Sequence, residues 1–214
     1  MNYCLLKDGF VVGTVATTDP KYQPPEGFTL GPEGGQDHWF WDGERYVPPS
    51  AKREHHCVLP SVFTAEECDA IIALCAGQPR ALKAGASPEV DALFARIWAL
   101  VSEQNTALFQ LPIARLVQMQ VTRHSPVDAG RLAWQTDRLV EADGFERKLS
   151  IVLLLTEPEN FAGGDFELQG IGRIDLHRGC VVIFHSPLLY RVTPVTVGMR
   201  HSLVTWAQGA IGAS

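Results

Sequence analysis

Apolar residues follow two different periods along this chain. Thr64-Ala65-Glu66-Glu67 opens a segment as a capping box, in which the threonine hydroxyl and the glutamate carboxylate satisfy each other's backbone N–H groups. The pattern predicts a helix from there to about Ala76, stopped by Gly77 and Pro79. A second helix is predicted from Ser87 as cap and Pro88 as first helical residue. Its stripe of Leu93, Ile97, Leu100, Val101 and Leu108 has the spacing of one buried face, and Pro112 lies beyond its end.

After Ala114 the period shortens to that of strands. Arg115–Thr122 alternates Leu116, Gln118 and Gln120 with Val117, Met119 and Val121, and His55–Leu59 reads as a further strand before the first helix. Leu149–Leu155 is almost continuously apolar, which predicts a strand covered on both faces. Short runs follow at Asp165–Leu168, Arg173–Leu176, Cys180–Phe184, Tyr190–Val195 and Met199–Trp206, with glycine or proline turns between them. Two helices and then many strands predict an α+β fold whose body is a β-sandwich or barrel.

Residues 1–50 follow another pattern. Cys4–Leu6 and Phe10–Val15 flank Asp8-Gly9, a hairpin turn pair, and His38–Trp41 faces Arg45–Val47 across Asp42-Gly43, with a stretch rich in proline and glycine between the two hairpins. Pro48–Glu54 reads as a linker. The expected organisation is a small β-rich appendage over 1–50 and a main domain over 51–214. So short an appendage buries little by itself, so its aromatic residues are expected against the main domain or against a protein partner.

Composition narrows the function classes. With 214 residues, 46% apolar and 20% charged, the chain can build a packed core. The net charge of −6 argues against a nucleic-acid binder held by phosphate contacts. No apolar run is long enough to span a membrane, and Met1–Gly9 does not read as a secretory leader, so a cytoplasmic location is expected. Five widely spaced cysteines, Cys4, Cys57, Cys68, Cys75 and Cys180, contain no CxxC pair and read as small apolar residues in a reducing compartment.

The chemistry-bearing residues cluster in the C-terminal half. Trp134-Gln135-Thr136-Asp137, Arg147–Leu155, Asn160–Phe166, Gly179–Ser186, Tyr190–Val195 and Gly198–Leu203 follow one another in a set order. In that order and spacing the chain resembles the prolyl 4-hydroxylase-like 2-oxoglutarate/iron(II) dioxygenases over about residues 57–207. The resemblance implies a double-stranded β-helix, or jelly roll, flanked by the two helices. Residues 1–50 lie outside it and are faintly similar to short aromatic modules of phage-encoded proteins.

The resemblance also implies positions for the ligands of the family. Its iron is held by two histidines and a carboxylate, which correspond here to Gln135, Tyr190 and Asp137. An amide oxygen is a poor donor to iron(II), and a phenol with a pKa near 10 must lose its proton to bind well. Tight iron(II) binding is therefore not expected. The basic residue that grips the distal carboxylate of 2-oxoglutarate corresponds to Arg200, ten positions after Tyr190, and its assisting hydroxyl to Ser202. A tyrosine that also touches the cosubstrate is replaced by His124. The alternative for Arg200 is a surface salt bridge.

His185 is a candidate replacement ligand. If Cys180–His185 and Tyr190–Val195 form a hairpin around a four-residue loop, His185 and Tyr190 are opposed and share a face. A β-bulge in that hairpin would break the correspondence. Three functions remain open: a metal-free binder of 2-oxoglutarate or a similar small carboxylate, an active oxygenase with a metal site rebuilt from Asp137 and His185 or His124, and a scaffold acting through its N-terminal unit.

Overall fold

The computed structural model describes residues 2–7, 10–16, 23–24, 26, 29–31, 40–41, 46–47, 55–75, 81–128 and 133–211. It divides into two units, Met1–Arg53 and Glu54–Ser214.

The first unit is a sheet of five short strands: β1 (Asn2–Lys7), β2 (Phe10–Ala16), β3 (Thr29–Gly31), β4 (Phe40–Trp41) and β5 (Tyr46–Val47). Their order is β3-β1-β2-β4-β5, so both expected hairpin pairings are present as β1/β2 and β4/β5. Cys4 and Leu6 are buried within it. The Asp8-Gly9 turn, the linker over 48–54 and the expected aromatic face lie outside the described residues and side chains.

The second unit begins with β6 (His56–Leu59), followed by α1 (Ala65–Leu74), β7 (Ala81–Leu82) and α2 (Pro88–Gln104). Both expected caps form. Thr64 N–H donates to Glu67 Oε2 at 2.8 Å, Glu67 N–H donates to Thr64 Oγ1 at 3.3 Å, and Val90 N–H donates to Ser87 Oγ at 3.3 Å. The second helix ends earlier than its stripe suggests. A wider turn, Asn105–Phe109, carries Leu108 and Phe109 onto the core, and the Asn105 side chain closes it through Leu111 N–H and C=O.

Strands then take over: β8 (Arg115–Leu116), β9 (Met119–His124), β10 (Phe145–Leu154), β11 (Phe161–Gly163), β12 (Phe166–Leu168), β13 (Gly172–Ile174), β14 (Val181–His185), β15 (Tyr190–Val192), β16 (Val195–Gly198) and β17 (Arg200–Ala210). The major sheet runs β6-β14-β10-β17-β9-β7, with β8 also on β17. Two smaller sheets, β13-β12-β15 and β11-β16, complete the roll. This is the expected jelly roll of an α+β fold.

Alternation along the major sheet divides two cores. Leu149, Ile151, Leu153 and Leu155 with Val181 and Ile183 pack under the helices, against Leu93, Ile97, Val101 and Phe109. Val152, Val182 and Phe184 point the other way, against Phe166, Leu168 and Tyr190 of the smaller sheet. Helices on one face and a sheet on the other explain why Leu149–Leu155 is buried throughout. The second face is the interior of the roll.

The expected β14–β15 hairpin does not form. β14 pairs with β10 and β6 in the major sheet, whereas β15 pairs with β12 in the minor one. Residues 186–189 are therefore a crossing between sheets, and residues 185 and 190 are not opposed. His185 continues the row of Val181 and Ile183, with its ring 5.4 Å from Phe109 and 5.6 Å from His55. It lies on the helix-facing side of the sheet, so it cannot replace a ligand beside Tyr190.

Candidate functional site

The crossing at 186–189 builds one end of the site. Ser186 C=O accepts from Asp137 N–H at 3.0 Å and from Thr136 Oγ1 at 2.8 Å, while Ser186 Oγ lies 3.0 Å from Ser150 Oγ. Gln135 and Tyr190 exchange both backbone hydrogen bonds, at 2.8 and 2.9 Å. This lone antiparallel bridge adds residues 135–137 to the edge of the minor sheet. Residues two apart on an extended segment share a face, so Gln135 and Asp137 stand on the side of their partner Tyr190. Trp134 turns the other way, under the Arg191 guanidinium at 4.6 Å.

The three residues at the resemblance-implied metal positions are thus brought together. Tyr190 Oη donates to Asp137 Oδ1 at 2.9 Å in a buried contact. The ring is held by Phe166, stacked at 5.7 Å, and by the edge of Phe184 at 5.3 Å. Burial, then the charge of Asp137, push the phenol well above its ordinary pKa, with Arg147 and Gln135 opposing. It is a fixed, neutral donor at physiological pH. Asp137 is 9% exposed, and its second oxygen, Oδ2, is buried with no hydrogen-bond partner among the described residues.

Arg147 acts electrostatically on Asp137 and Tyr190. Alternation would put it on the helix side with Leu149, but the β10/β17 register shifts between Arg147 and Leu149. That bulge turns Arg147 to the interior, where its guanidinium stacks 3.7 Å over Trp206. Burial lowers its pKa, against the opposing charges of Asp137 and Glu141. It also lines a groove of about 430 Å³ with Lys83, Phe94, Leu116 and Glu141.

The second cluster lies on β17 and β9. Arg200 is 1% exposed, which excludes the surface salt bridge. Its Nη1 donates to Ser202 Oγ at 2.8 Å, and Ser202 Oγ also meets Thr122 Oγ1 at 3.0 Å. No ion pair involves Arg200 among the described residues, and its Nε is buried without a partner. Burial pulls its pKa down to about 10, with the charge of Asp165 opposing, so the guanidinium stays charged. Asp165 itself pairs with Arg173 at 3.2 Å. His124 is directly opposed to Arg200 across β9/β17, as Thr122 is to Ser202, so all four share the interior face.

Gly164 makes room for this cluster, and Gly163 beside it makes room for the Pro194 carbonyl. Both have positive φ, 72° and 69°. A Cβ on Gly164 would stand 2.9 Å from Arg200 Cδ, closer than side-chain packing allows.

Comparison with known proteins agrees with this architecture. The viral collagen prolyl hydroxylase of Paramecium bursaria Chlorella virus-1 superposes with a TM-score of 0.60 at 16% identity, over 73% of this chain and 90% of that one. A prolyl-4-hydroxylase of Pseudomonas putida gives 0.59 at 21%, over 72% and 86%. The fold is that of the prolyl 4-hydroxylases.

Sequence similarity agrees with the prolyl 4-hydroxylase fold but is shorter. A PKHD-type hydroxylase of Hyphomonas neptunium is 42% identical over 66 residues, 29% of this chain and 30% of its own. One of Shewanella baltica is 40% identical over 73 residues, 32% and 33%. The match thus spans about a third of these relatives' length. No family model matches the chain.

Of the residues expected from the sequence, Gln135, Asp137 and Tyr190 form one cluster and Arg200, Ser202 and His124 another, while His185 joins neither. Arg147, Thr122, Ser150 and Ser186 were not singled out. The alternation of Thr122 with Val121 offered a signal for Thr122, since it predicts a polar residue on the interior face.

Proposed function

We propose that this protein binds a small carboxylate, 2-oxoglutarate or a close analogue, on Arg200 and Ser202, and does not carry out ordinary iron(II)-dependent hydroxylation. The observation that carries the reading is the buried hydrogen bond from Tyr190 Oη to Asp137 Oδ1. An iron(II) ion at these positions needs anionic or lone-pair donors turned toward it. The phenol instead points its proton at the carboxylate, and its raised pKa opposes the ionisation that would make it a ligand. With an amide as the third group, the donor set does not fit iron(II).

The acid-binding half of the reading is supported by Arg200. A buried guanidinium with no carboxylate paired to it is costly unless an anion completes it. Its planar fork suits a carboxylate with two parallel hydrogen bonds. One of the fold neighbours, the viral enzyme at 15% identity and TM-score 0.60, is described as a 2OG complex. The active-oxygenase alternative with His185 as ligand loses its support, because that ring lies on the other face of the major sheet.

The test is anaerobic calorimetric titration with iron(II), with and without 2-oxoglutarate. The expected result is no stoichiometric micromolar site in the wild type and a new one in the Gln135→His/Tyr190→His double variant, whose backbone bridge is unaffected. A micromolar wild-type site that vanishes in Asp137→Ala would overturn the reading.

A further inference from the structure

We infer that His124 is a second cationic arm of the acid anchor: a carboxylate held on Arg200 is bound together with a proton, which passes from solvent to the imidazole. This rests on the reading of Arg200 as an acid anchor and adds what stands beside it and how pH governs the ligand's affinity.

The strand register sets the two side chains together. β9 and β17 are antiparallel, with His124 opposite Arg200 and Thr122 opposite Ser202. Opposed side chains on one face have Cβ atoms about 4.5–5.5 Å apart, so the imidazole and the guanidinium start from neighbouring positions on the interior face. The rung beside them is already satisfied: Ser202 Oγ takes Arg200 Nη1 at 2.8 Å and meets Thr122 Oγ1 at 3.0 Å. Arg200 Nε, buried with no hydrogen-bond partner among the described residues, is a donor still to be met. An anion at this guanidinium has His124 as its cross-strand neighbour.

Charge decides what the imidazole does there. An ordinary imidazole changes charge between pH 5 and 8. Without ligand it faces the Arg200 guanidinium, and like charges directly opposed across a ladder are destabilising. With a carboxylate on Arg200 the opposing charge is neutralised, so the protonated imidazole is favoured. The other charges around this rung do not replace the ligand. Arg123 and His201, adjacent on the two strands, are opposed to each other and point to the other face. Asp165 acts on Arg200 but is engaged by Arg173 at 3.2 Å. β7, on the far side of β9, pairs with Met119 and Gln120, and Asp128 lies four residues on, in the turn that follows β9.

The experiment is calorimetry on the full chain with 2-oxoglutarate in chelator-treated buffer, at about pH 7 in Mops and in Tris, whose ionisation enthalpies differ, and then across about pH 6–8. Carboxylates stay ionised over that range, so the difference in heat between the two buffers counts the protons taken up by the protein. Uptake of about half a proton near pH 7 and an affinity about tenfold tighter at the acid end than at the alkaline end are expected. His124→Gln keeps a polar side chain that does not titrate: the uptake should vanish and the affinity should become independent of pH. Should this variant not fold, His124→Tyr, uncharged over the same range, is the second arm. His201→Gln, on the other face of the sheet, should keep the wild-type uptake. Binding without proton uptake, uptake that survives in the His124 variants, or uptake lost in His201→Gln overturns this inference alone. No binding by the wild type at millimolar 2-oxoglutarate overturns the Arg200 reading and this inference with it.

Discussion

Replacing Arg200 by methionine separates a ligand anchor from a structural residue. Methionine has similar length and no charge, and its flexible chain fills irregular space. The substitution removes the hydrogen bond to Ser202 Oγ at 2.8 Å, a charged-to-neutral contact worth about 1.5–3 kcal/mol. Ser202 keeps Thr122 Oγ1 at 3.0 Å, and Asp165 keeps Arg173 at 3.2 Å, so no polar group loses its last partner. Against that loss stands relief from holding a guanidinium at 1% exposure, where the desolvation penalty is several kcal/mol. The ligand-free variant should thus be as stable as wild type or more stable by about 1–3 kcal/mol, and a domain of this size gains roughly 2–4 °C in Tm per kcal/mol. Thermal unfolding with and without millimolar dicarboxylate reads both effects. Wild type should rise with ligand, by about 2.7 kcal/mol at a hundredfold excess over Kd, and the variant should not respond. A ligand-free Arg200→Met destabilised by more than about 2 kcal/mol would refute the reasoning, because the guanidinium would then be holding the sheet together.

Other outcomes follow from the same geometry. Gly164→Ala should weaken carboxylate binding with the fold intact, since its Cβ would meet Arg200 Cδ at 2.9 Å and the backbone sits at φ +69°; circular dichroism and calorimetry together check it. Tyr190 is raised above its unfolded pKa, so its contribution to stability is complete below about pH 10 and is lost as pH rises from there toward the folded value, by up to about 1.4 kcal/mol per pH unit. Urea unfolding from pH 9 to 11 should show that slope, reduced in Tyr190→Phe. His185→Ala should cost about 1–3 kcal/mol of stability through lost packing on Phe109 and leave ligand affinity unchanged, as measured by unfolding and calorimetry.

The periodicity carried much of the main domain. The capping box at Thr64, the proline-led second helix and the doubly covered strand at Leu149–Leu155 all depend on local chemistry that spacing exposes. What spacing missed required pairing information. A four-residue gap after His185 suits a hairpin as well as a crossing between sheets, and only the partners of β14 and β15 decide between them. Arg147 shows the same limit, because one shifted residue at the bulge moves its side chain from the helix face to the interior. Very short strands such as β7 and β11 carry too few residues to display a period. Arg200 was legible through the family resemblance, which sets an acid-gripping basic residue ten positions after Tyr190.

The bridge between Gln135 and Tyr190 has a kinetic consequence. It and the Tyr190–Asp137 contact join segments 53 residues apart, with β10 through β14 folded between them. Contacts of that separation carry a large loop-closure cost and form late, once the intervening strands have paired. The Gln135–Asp137–Tyr190 cluster therefore has no precursor in any single hairpin and comes into being as the roll closes. The amide hydrogens of Gln135, Asp137 and Tyr190 should then exchange with solvent together, in one opening event that parts the minor sheet from the crossing at Ser186.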